Sequence, residues 1–214
     1  VTQETLQRQK LEAIHRAGIE LANLTANDLC QMSVDDRIDL LKGKILQQTQ
    51  DLLNFDVVEI RLIDQKTGRL EPLLASGMTP EAVARELYPS KVDNGVTGYV
   101  AAMGTSYLCD DTTNDPLYLV GCTGAKSSLT VPLKLHNQVI GTFNVESPQP
   151  HAFTDSDLQF LKVFCRDVAV SLNTLQLLVA QEMTAAQQSV AQIQPRTFSP
   201  KPTFRPTVIF GNRA

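Results

Sequence analysis

Two short runs of alternating apolar and polar side chains, joined by a turn, occupy residues 126–147 (KSSLTVPLKLHNQVIGTFNVES) and constrain the fold most. The apolar positions are Leu129, Val131, Leu133 and Leu135 in the first run, and Val139, Phe143 and Val145 in the second. This period of two predicts paired β-strands that each bury one face. His136-Asn137 predicts a two-residue turn, since Asn tolerates the left-handed backbone that such turns require. Pro132 has no N–H to donate, so we expect it at a sheet edge or a bulge.

The remaining segments supply both strands and helices around this hairpin. Strands are predicted at 55–63, 69–75 and 105–109, and helices at 35–53, from Thr79 onward and at 95–103. Thr154 is a good N-cap residue and opens a last long helix. An irregular loop occupies residues 110–125. Because loops of that length are uncommon unless they are functional or mobile, this loop is a candidate part of a site.

Four motifs in this order resemble those of the GAF domain, a small sensory module of signalling proteins. They are N-G-V-T-G-Y-V (94–100), S-L-T-V-P-L (128–133), V-I-G-T-F-N-V-E-S (139–147) and F-T-D-S-D-L-Q-F-L (153–161). The resemblance covers roughly residues 35–179. It implies an α/β (α+β) fold with a central antiparallel sheet, long N- and C-terminal helices on one face, and short helices plus a lid loop on the other. Since one fold hosts many functions, it does not name a ligand.

The alternation in the strands places a row of polar side chains opposite the apolar face. In GAF domains short helices and a loop cover this second face and enclose a ligand pocket, so the resemblance implies a pocket here. The residues expected in the polar row or in the lid are Glu59, Arg61, Tyr99, Cys109, Asp110, Tyr118, Cys122, Thr130, Asn144 and Glu146. The alternative is a polar face open to water, where a Glu59–Arg61 pair contributes about 0–1 kcal/mol.

Two specialised kinds of GAF domain match the sequence poorly. Phe153 and Asp157 match the F-x-x-x-D-E motif of cyclic-nucleotide-binding relatives, but Leu158 replaces the Glu. Residues 146–147, Glu-Ser, stand where those relatives have Asn-Lys. Bilin-binding relatives attach their chromophore to a Cys that is usually followed by His, whereas Cys122 is followed by Thr and lies too close to the S-L-x-V-P strand. Neither ligand is expected, and the sequence identifies no cofactor.

The free methionine sulfoxide reductase, a GAF enzyme, resembles this chain in two places. Its catalytic Cys would correspond to Cys122, and its D-I-D-S strand is similar to N-V-E-S at 144–147. Against this, Thr97 lies near the position of a second Cys, Leu129 lies where a carboxylate is needed, and the chain has no Trp to position a sulfoxide. A reactive Cys also needs a lowered thiol pKa, and no cation is closer to Cys122 in sequence than Lys126. We expect a non-catalytic domain, with a reductase that uses Cys122 as the alternative.

Composition and spacing argue against several other classes. The formal net charge of −4 provides no general attraction to nucleic acid or to anionic membrane. The chain has no uninterrupted run of about twenty apolar residues, and its N-terminus lacks a secretory signal, so we expect a cytoplasmic location. The Cys and His residues lack the spacing of a zinc site, and the acidic loop Asp110–Asp115 lacks the Gly and Glu of an EF-hand. No metal is expected.

The chain is predicted to divide into an N-terminal dimerisation and signalling helix (1–34), a sensory domain (35–182) and a basic, Pro-rich, disordered tail (183–214). Apolar residues at alternating steps of three and four predict a coiled-coil-type seam on the two terminal helices. The seam residues are Leu11, Ile14, Leu21, Leu161, Val168, Leu172, Leu175 and Val179. We expect a homodimer in which an unknown small molecule rearranges a helical bundle and signals to an output domain outside this sequence. The alternative is a dimerisation or protein-interaction scaffold without a ligand.

Overall fold

The computed structural model describes residues 8, 12–13, 15–16, 18–20 and 32–193, without the side chains of 52, 186 and 188–193. The described residues before residue 21 are helical. The predictions for Leu11, Ile14 and Leu21, and for the tail beyond residue 193, lie outside the described residues. The chain divides into two compact units, residues 1–179 and 180–214. The sheet and the candidate site belong to the first.

Antiparallel strands form one sheet, as predicted. They are β1 (Val57–Ile63), β2 (Leu70–Ser76), β3 (Tyr107–Cys109), β4 (Ser127–Leu135) and β5 (Gln138–Ser147). Their order across the sheet is β2-β1-β5-β4-β3, so the predicted hairpin β4–β5 supplies its middle. His136 and Asn137 at the hairpin turn have φ values of 48° and 67°. These are the left-handed values that a two-residue turn requires.

From residue 32 onward, the α-helices that begin at residues 34, 80 and 155 each follow a residue whose side chain satisfies one of their first N–H groups. The helices of this part of the chain are α1 (Val34–Gln48), which continues into a π-helical turn (Thr49–Leu53), α2 (Pro80–Ala84), α3 (Gly95–Met103) and α4 (Asp155–Ile193). Ser33 caps α1 and Thr79 caps α2 through their side-chain oxygens. Thr154 accepts from the Asp157 N–H at the start of α4. α4 continues past the predicted boundary at residue 182, so the beginning of the predicted tail is helical.

The apolar face of the sheet packs against α1 and α4 in one hydrophobic cluster. Val58 and Ile60 of β1 and Phe143 of β5 are fully buried there, together with Leu41 and Ile45 of α1. The cluster also contains a set of side chains on one face of α4, namely Leu161, Phe164, Cys165, Val168, Ala169, Leu172 and Leu175. The predicted apolar face is therefore confirmed, and the polar residues of the same strands face the other way.

This arrangement corrects the predicted dimer seam on α4. Leu161 and Val168 have no exposed area, and Leu172 and Leu175 are 4% and 5% exposed. Val179 is partly buried against the same core. The assignment of the four buried residues to a surface between subunits is wrong, because steps of three and four mark any helix face that packs on a core. Whether the chain forms a homodimer stays a prediction.

A bulge in the hairpin corrects one further assignment. The partners of Leu133 and Lys134 on β5 are Gly141 and Val139, which leaves Ile140 unpaired. The alternation of β5 reverses at this point, so Ile140 packs on the core. Val139, which was predicted to share a face with Phe143 and Val145, lies beside Gly104 after α3. Pro132 lies on β4 beyond its pairing with β3, at the unpaired edge that was expected.

One helix among the described residues, Asp155–Ala185, is long and apolar enough by composition to cross a membrane. The core helix of a soluble domain passes the same test. Burial of Phe164, Val168 and their neighbours against the sheet accounts for the apolar residues of this helix. The prediction that the chain does not bind a membrane stays untested.

Candidate functional site

A narrow polar cavity lies between the second face of the sheet and its cover, which consists of α2, α3 and the lid loop (residues 110–126). The sheet lines the cavity with Glu59, Ser128, Asn144 and Glu146. The cover contributes polar side chains at Arg85, Asn94, Thr97 and Tyr118, and apolar ones at Met78, Val96 and Leu119. The cavity volume is about 30 Å³. A cavity of that size holds one or two water molecules.

The register of the sheet brings the polar side chains together. Glu59 on β1 lies opposite Asn144 on β5, and Asn144 lies opposite Thr130 on β4. Two residues further along β5, Glu146 lies opposite Ser128. Thr130 Oγ1 donates to Asn144 Oδ1 at 2.8 Å, and Asn144 Nδ2 donates to Glu146 Oε1 at 3.2 Å. Thr130 does not line the cavity but fixes the orientation of Asn144, which does.

Glu146 attaches the lid loop to the sheet. Its Oε2 accepts from the backbone N–H of Cys122 at 2.7 Å and from the Tyr118 hydroxyl at 3.2 Å. The Tyr118 hydroxyl oxygen in turn accepts from the Gly121 N–H at 3.3 Å. The carboxylate is 5% exposed. A buried carboxylate that receives several donors is held in one position, so the lid is closed over the cavity by groups that a ligand can displace.

Arg61 was predicted to line the pocket, but it lies below the cover and all five of its N–H donors are used. Nε donates to Glu59 Oε1 at 2.8 Å. The other four bonds go to backbone carbonyl oxygens of Leu70, Arg85, Ala82 and Val83, at 3.1, 2.9, 2.7 and 3.0 Å. Because the side chain has no exposed area, these bonds compensate the loss of water around its charge. Arg61 therefore joins α2 to strands β1 and β2 of the sheet and positions Glu59.

Glu59 keeps one carboxylate oxygen free. The structure gives it a single hydrogen bond, from Arg61 to Oε1, and Oε2 has no partner among the described residues. Burial raises the pKa of Glu59, and the charge of Arg61 opposes that rise. Glu146 also raises the pKa of Glu59 by like-charge repulsion. The free Oε2 of a carboxylate that lines the cavity can accept a bond from a ligand.

Ser128 is a cavity residue that the sequence prediction missed. Its side chain is 1% exposed and lines the cavity. The thiol of Cys109, a weak hydrogen-bonding group, lies beside its Oγ, which has no stronger partner among the described residues. Ser128 lies two residues before Thr130 in β4, so the alternation of the strand places both side chains on the polar face of the sheet. A buried hydroxyl without a strong partner costs stability, and such a group is a candidate for ligand contact.

The other predicted lid residues do not line the cavity. Tyr99 packs edge-on against Tyr107, with ring centroids 5.7 Å apart. Asp110 lies at the surface, where its Oδ1 is 3.6 Å from Nδ1 of His151. Cys109 and Cys122 are buried, and Cys122 contributes its backbone N–H to Glu146. Of the ten predicted residues, those that line the cavity are Glu59, Tyr118, Asn144 and Glu146.

Side chains of the protein itself fill much of the covered space. Met78 and Leu119 both line the cavity. A Cβ at Gly121 would meet Glu146 Oε1 and lie 2.7 Å from Met78 Cε, and a Cβ at Gly95 would lie 2.9 Å from Leu119 Cδ1. The cover therefore packs tightly onto the sheet. Any ligand larger than two water molecules needs Met78, Leu119 or the lid loop to move.

The buried thiols have raised pKa values. Burial, together with the nearby Glu146 carboxylate, raises the pKa of Cys122 to about 11. Burial and Asp115 raise the pKa of Cys109 to about 12. Burial alone raises the pKa of Cys165 well above its usual value. A nucleophilic Cys needs the opposite environment, with a cation or a helix N-terminus beside it.

Among the residues that the structure describes, no group of three or more His, Cys, Asp and Glu side chains is placed to hold a metal ion. The cavity is lined by carboxylate, amide and hydroxyl groups together with Arg85, and such a lining suits a small polar molecule.

Comparison with solved structures identifies similar folds. The GAF domain of an Acinetobacter phosphoenolpyruvate-protein phosphotransferase is 21% identical, covers 84% of this chain and 97% of its own, and gives a TM-score of 0.59. The corresponding domain from Coxiella burnetii is 13% identical, with coverages of 81% and 98% and a TM-score of 0.65. The free methionine-R-sulfoxide reductase of Neisseria meningitidis, solved with its substrate, is 15% identical, with coverages of 83% and 95% and a TM-score of 0.61. At these identities the similarity extends to the fold alone.

Sequence comparison gives the family. No curated protein matches the sequence. A family model described as the GAF domain matches residues 41–173, which span α1 to most of the buried part of α4. These residues include the sheet, the cover and every residue of the cavity. GAF domains are generally regulatory or sensory, although similar structures include reductases. The chain belongs to the GAF domain family.

Proposed function

We propose that this GAF domain is a non-catalytic regulatory module that binds a small polar molecule in the cavity under the lid loop. The observation that carries the proposal is the pair of groups with unused hydrogen-bonding capacity there, Glu59 Oε2 and Ser128 Oγ. Both are held on rigid strands and both are buried. Polar groups inside proteins normally use most of their hydrogen-bonding capacity, so two groups with capacity to spare in one cavity support ligand binding over a purely structural role.

Ligand entry would couple to the cover. The present volume of about 30 Å³ is far below the roughly 300–1,000 Å³ of small-molecule sites, so a ligand would have to displace Met78, Leu119 or the lid loop. The lid depends on the bonds from Tyr118 and Cys122 to Glu146. A ligand that competes for Glu146 would release these bonds. Such a change needs different affinities for the closed and open states, typically worth about 1–3 kcal/mol.

The raised thiol pKa supports a non-catalytic role. With a pKa of about 11, about one Cys122 thiol in 10⁴ is ionised at pH 7. Thr97, which corresponds to a second Cys of the reductase, lines the cavity, but Leu129, which would have to be a carboxylate, is buried in the core. These observations favour regulation over reduction of methionine sulfoxide by Cys122.

We propose that the output passes through a cytoplasmic homodimer. The buried face of α4 packs on the sheet in one shared core, so a movement of the sheet would be transmitted to α4. On the outer side of α4, Val170 and Leu177 are 45% and 56% exposed and lie seven residues apart. A repeat of seven is the spacing of a coiled-coil contact. This outer row replaces the buried stripe as the surface proposed to meet a second copy.

A thermal-shift screen of polar metabolites tests ligand binding, because a ligand at 100 times its Kd adds about 2.7 kcal/mol to stability. For a chain of this size that raises Tm by about 5–10 °C. Ser128→Ala should leave the protein folded and weaken a cavity ligand about tenfold, since it removes one hydrogen bond. Ser127→Ala is the matched control: its Oγ donates to Gln149 and accepts from Ala152, so it should lower stability without changing ligand affinity.

The second candidate function is a scaffold whose covered face is filled by its own side chains. The small cavity and the position of Met78 against Glu146 and Gly121 favour it. If no compound in the screen stabilises the protein and the protein forms a stable dimer, the result would support the scaffold and contradict the proposed ligand-binding function. A hit whose affinity is the same in Ser128→Ala and wild type would place the ligand outside the cavity.

A further inference from the structure

A second groove lies on a different part of the domain, where the free end of β4 meets α4. Its walls are the turn after α3 (Gly104, Thr105 and Ser106), the edge residues of β4 (Val131, Pro132 and Lys134) and two side chains of α4 (Lys162 and Arg166). Its volume is about 390 Å³. That volume lies within the range of small-molecule sites, roughly 300–1,000 Å³, and far above that of the cavity under the lid.

The groove is positively charged. Lys134, Lys162 and Arg166 line it, and no acidic side chain does. In the part of the chain that the structure describes, Lys134 and Lys162 make no ion pair with a groove residue, and Arg166 contacts only Asp167, through Nε at 3.4 Å. Both terminal nitrogens of Arg166 remain available. The formal net charge of the whole chain is −4, so this concentration of cations is opposite to the general charge.

Neutral donors complete the lining. Thr105 and Ser106 line the same groove, and their hydroxyl groups have no hydrogen-bond partner among the described residues. Val131 and Pro132 form an apolar floor. A small number of convergent polar groups over an apolar surface is the usual composition of a small-molecule site.

Protection of the sheet edge explains only part of this arrangement. Pro132 and Lys134 on an unpaired edge prevent pairing with another strand. Lys162 and Arg166, however, lie on α4, four residues apart, where like charges destabilise a helix by a few tenths of a kcal/mol. Apart from the pair of Arg166 with Asp167, no acid offsets this repulsion, which favours a role beyond protection of the edge.

We propose that this groove binds a small molecule with two or more phosphate groups. The planar guanidinium of Arg166 matches a phosphate in a two-point contact, and the lysine ammonium groups of Lys134 and Lys162 supply charge on either side. Thr105 and Ser106 donate to the remaining oxygens. The volume of the groove, about 390 Å³, matches a compact ligand. This site shares no residue with the cavity under the lid, whose lining includes two acids.

Isothermal titration calorimetry with inorganic pyrophosphate at low ionic strength tests the proposal. Wild type should show saturable binding with one site per chain. Lys162→Gln and Arg166→Gln should each weaken Kd about tenfold, because each removes a charge-assisted hydrogen bond. Lys66→Gln is the matched control, since Lys66 lies exposed in the turn between β1 and β2. Ser128→Ala should leave pyrophosphate binding unchanged.

Three results would overturn the phosphate site. The first is no saturable binding of pyrophosphate to wild type. The second is an equal loss of affinity in Lys66→Gln, which would indicate general attraction to positive charge. The third is tighter binding of hexaglutamate than of pyrophosphate, which would assign the groove to an acidic protein segment. Because Ser128→Ala separates the two sites, failure here leaves the proposal for the lid cavity standing.

Discussion

Replacing Arg61 by Met tests the structural role of this side chain. Arg61 has no exposed area, and each of its N–H groups has an acceptor within 3.1 Å. Met fills similar space but donates no hydrogen bond. The variant therefore leaves the Glu59 carboxylate and four backbone carbonyl groups without their donor. Three of those carbonyls, from Ala82, Val83 and Arg85, come from α2 and its end.

The expected loss of stability is large. Removing one partner of a buried ion pair costs about 3–5 kcal/mol, because the other charge stays buried and uncompensated. The free energy of unfolding of a domain is about 5–15 kcal/mol, so the variant should unfold at a much lower urea concentration than wild type. Part of the loss should be recovered at low pH, since protonation of Glu59 removes its charge. The double variant Arg61→Met/Glu59→Gln should lose less than the sum of the single losses.

Arg69→Met provides the matched control for this measurement. Arg69 also contacts two carboxylates, Glu71 at 3.3 Å and Glu86 at 3.1 Å, but its side chain is 27% exposed. Exposed ion pairs contribute about 0–1 kcal/mol. Urea unfolding at pH 7 followed by circular dichroism compares the two variants. A loss below about 1 kcal/mol for Arg61→Met, equal to that of Arg69→Met, would refute the account of Arg61 as the link between the cover and the sheet.

Three further predictions concern the core, the thiols and the buried acid. Leu172→Asp should unfold the domain because it places a charge in the core. Val170→Asp should stay folded and, if the outer row of α4 forms the dimer, should sediment as a monomer. A folded Leu172→Asp variant would contradict the assigned core. Cys122 should react with iodoacetamide very slowly at pH 7 and faster as pH rises toward its pKa of about 11; rapid labelling at pH 7 would contradict the raised pKa. The pKa of Glu59 is raised above 4.5 in the folded state, so its contribution to the free energy of unfolding is complete below pH 4.5 and is lost as pH rises through the folded pKa. Wild type should therefore lose stability relative to Glu59→Gln over that window. Parallel profiles of stability against pH for the two proteins would disprove this prediction.

The sequence predicted which residues share a face better than it predicted what each side chain contacts. Alternation in the strands placed Glu59, Asn144 and Glu146 on one face, and the structure confirms this. It could not distinguish Arg61, which has the same parity, because the carbonyls that bind it belong to α2, which is distant in sequence. Ser128 was missed although its parity was correct, since a short hydroxyl residue gives no signal of its own.

Helix periodicity had a similar limit. The stripe through Leu161 and Leu172 was correct as a face of α4 and wrong as a dimer surface, because a coiled coil and a core-facing helix share steps of three and four. The reversal of the side-chain alternation at Ile140 could not be predicted from the sequence either, since a bulge depends on the pairing of two strands. The basic groove joins residues of β4 and α4, and only the tertiary fold brings those together.

A crystal structure of the domain with the most stabilising compound from the screen tests the central proposal most directly. The account predicts ligand density between Glu59, Ser128 and Glu146, with Met78 or the lid loop displaced from its present position. A compound bound elsewhere, over a cavity still closed by the contacts of Tyr118 and Cys122 with Glu146, would contradict it.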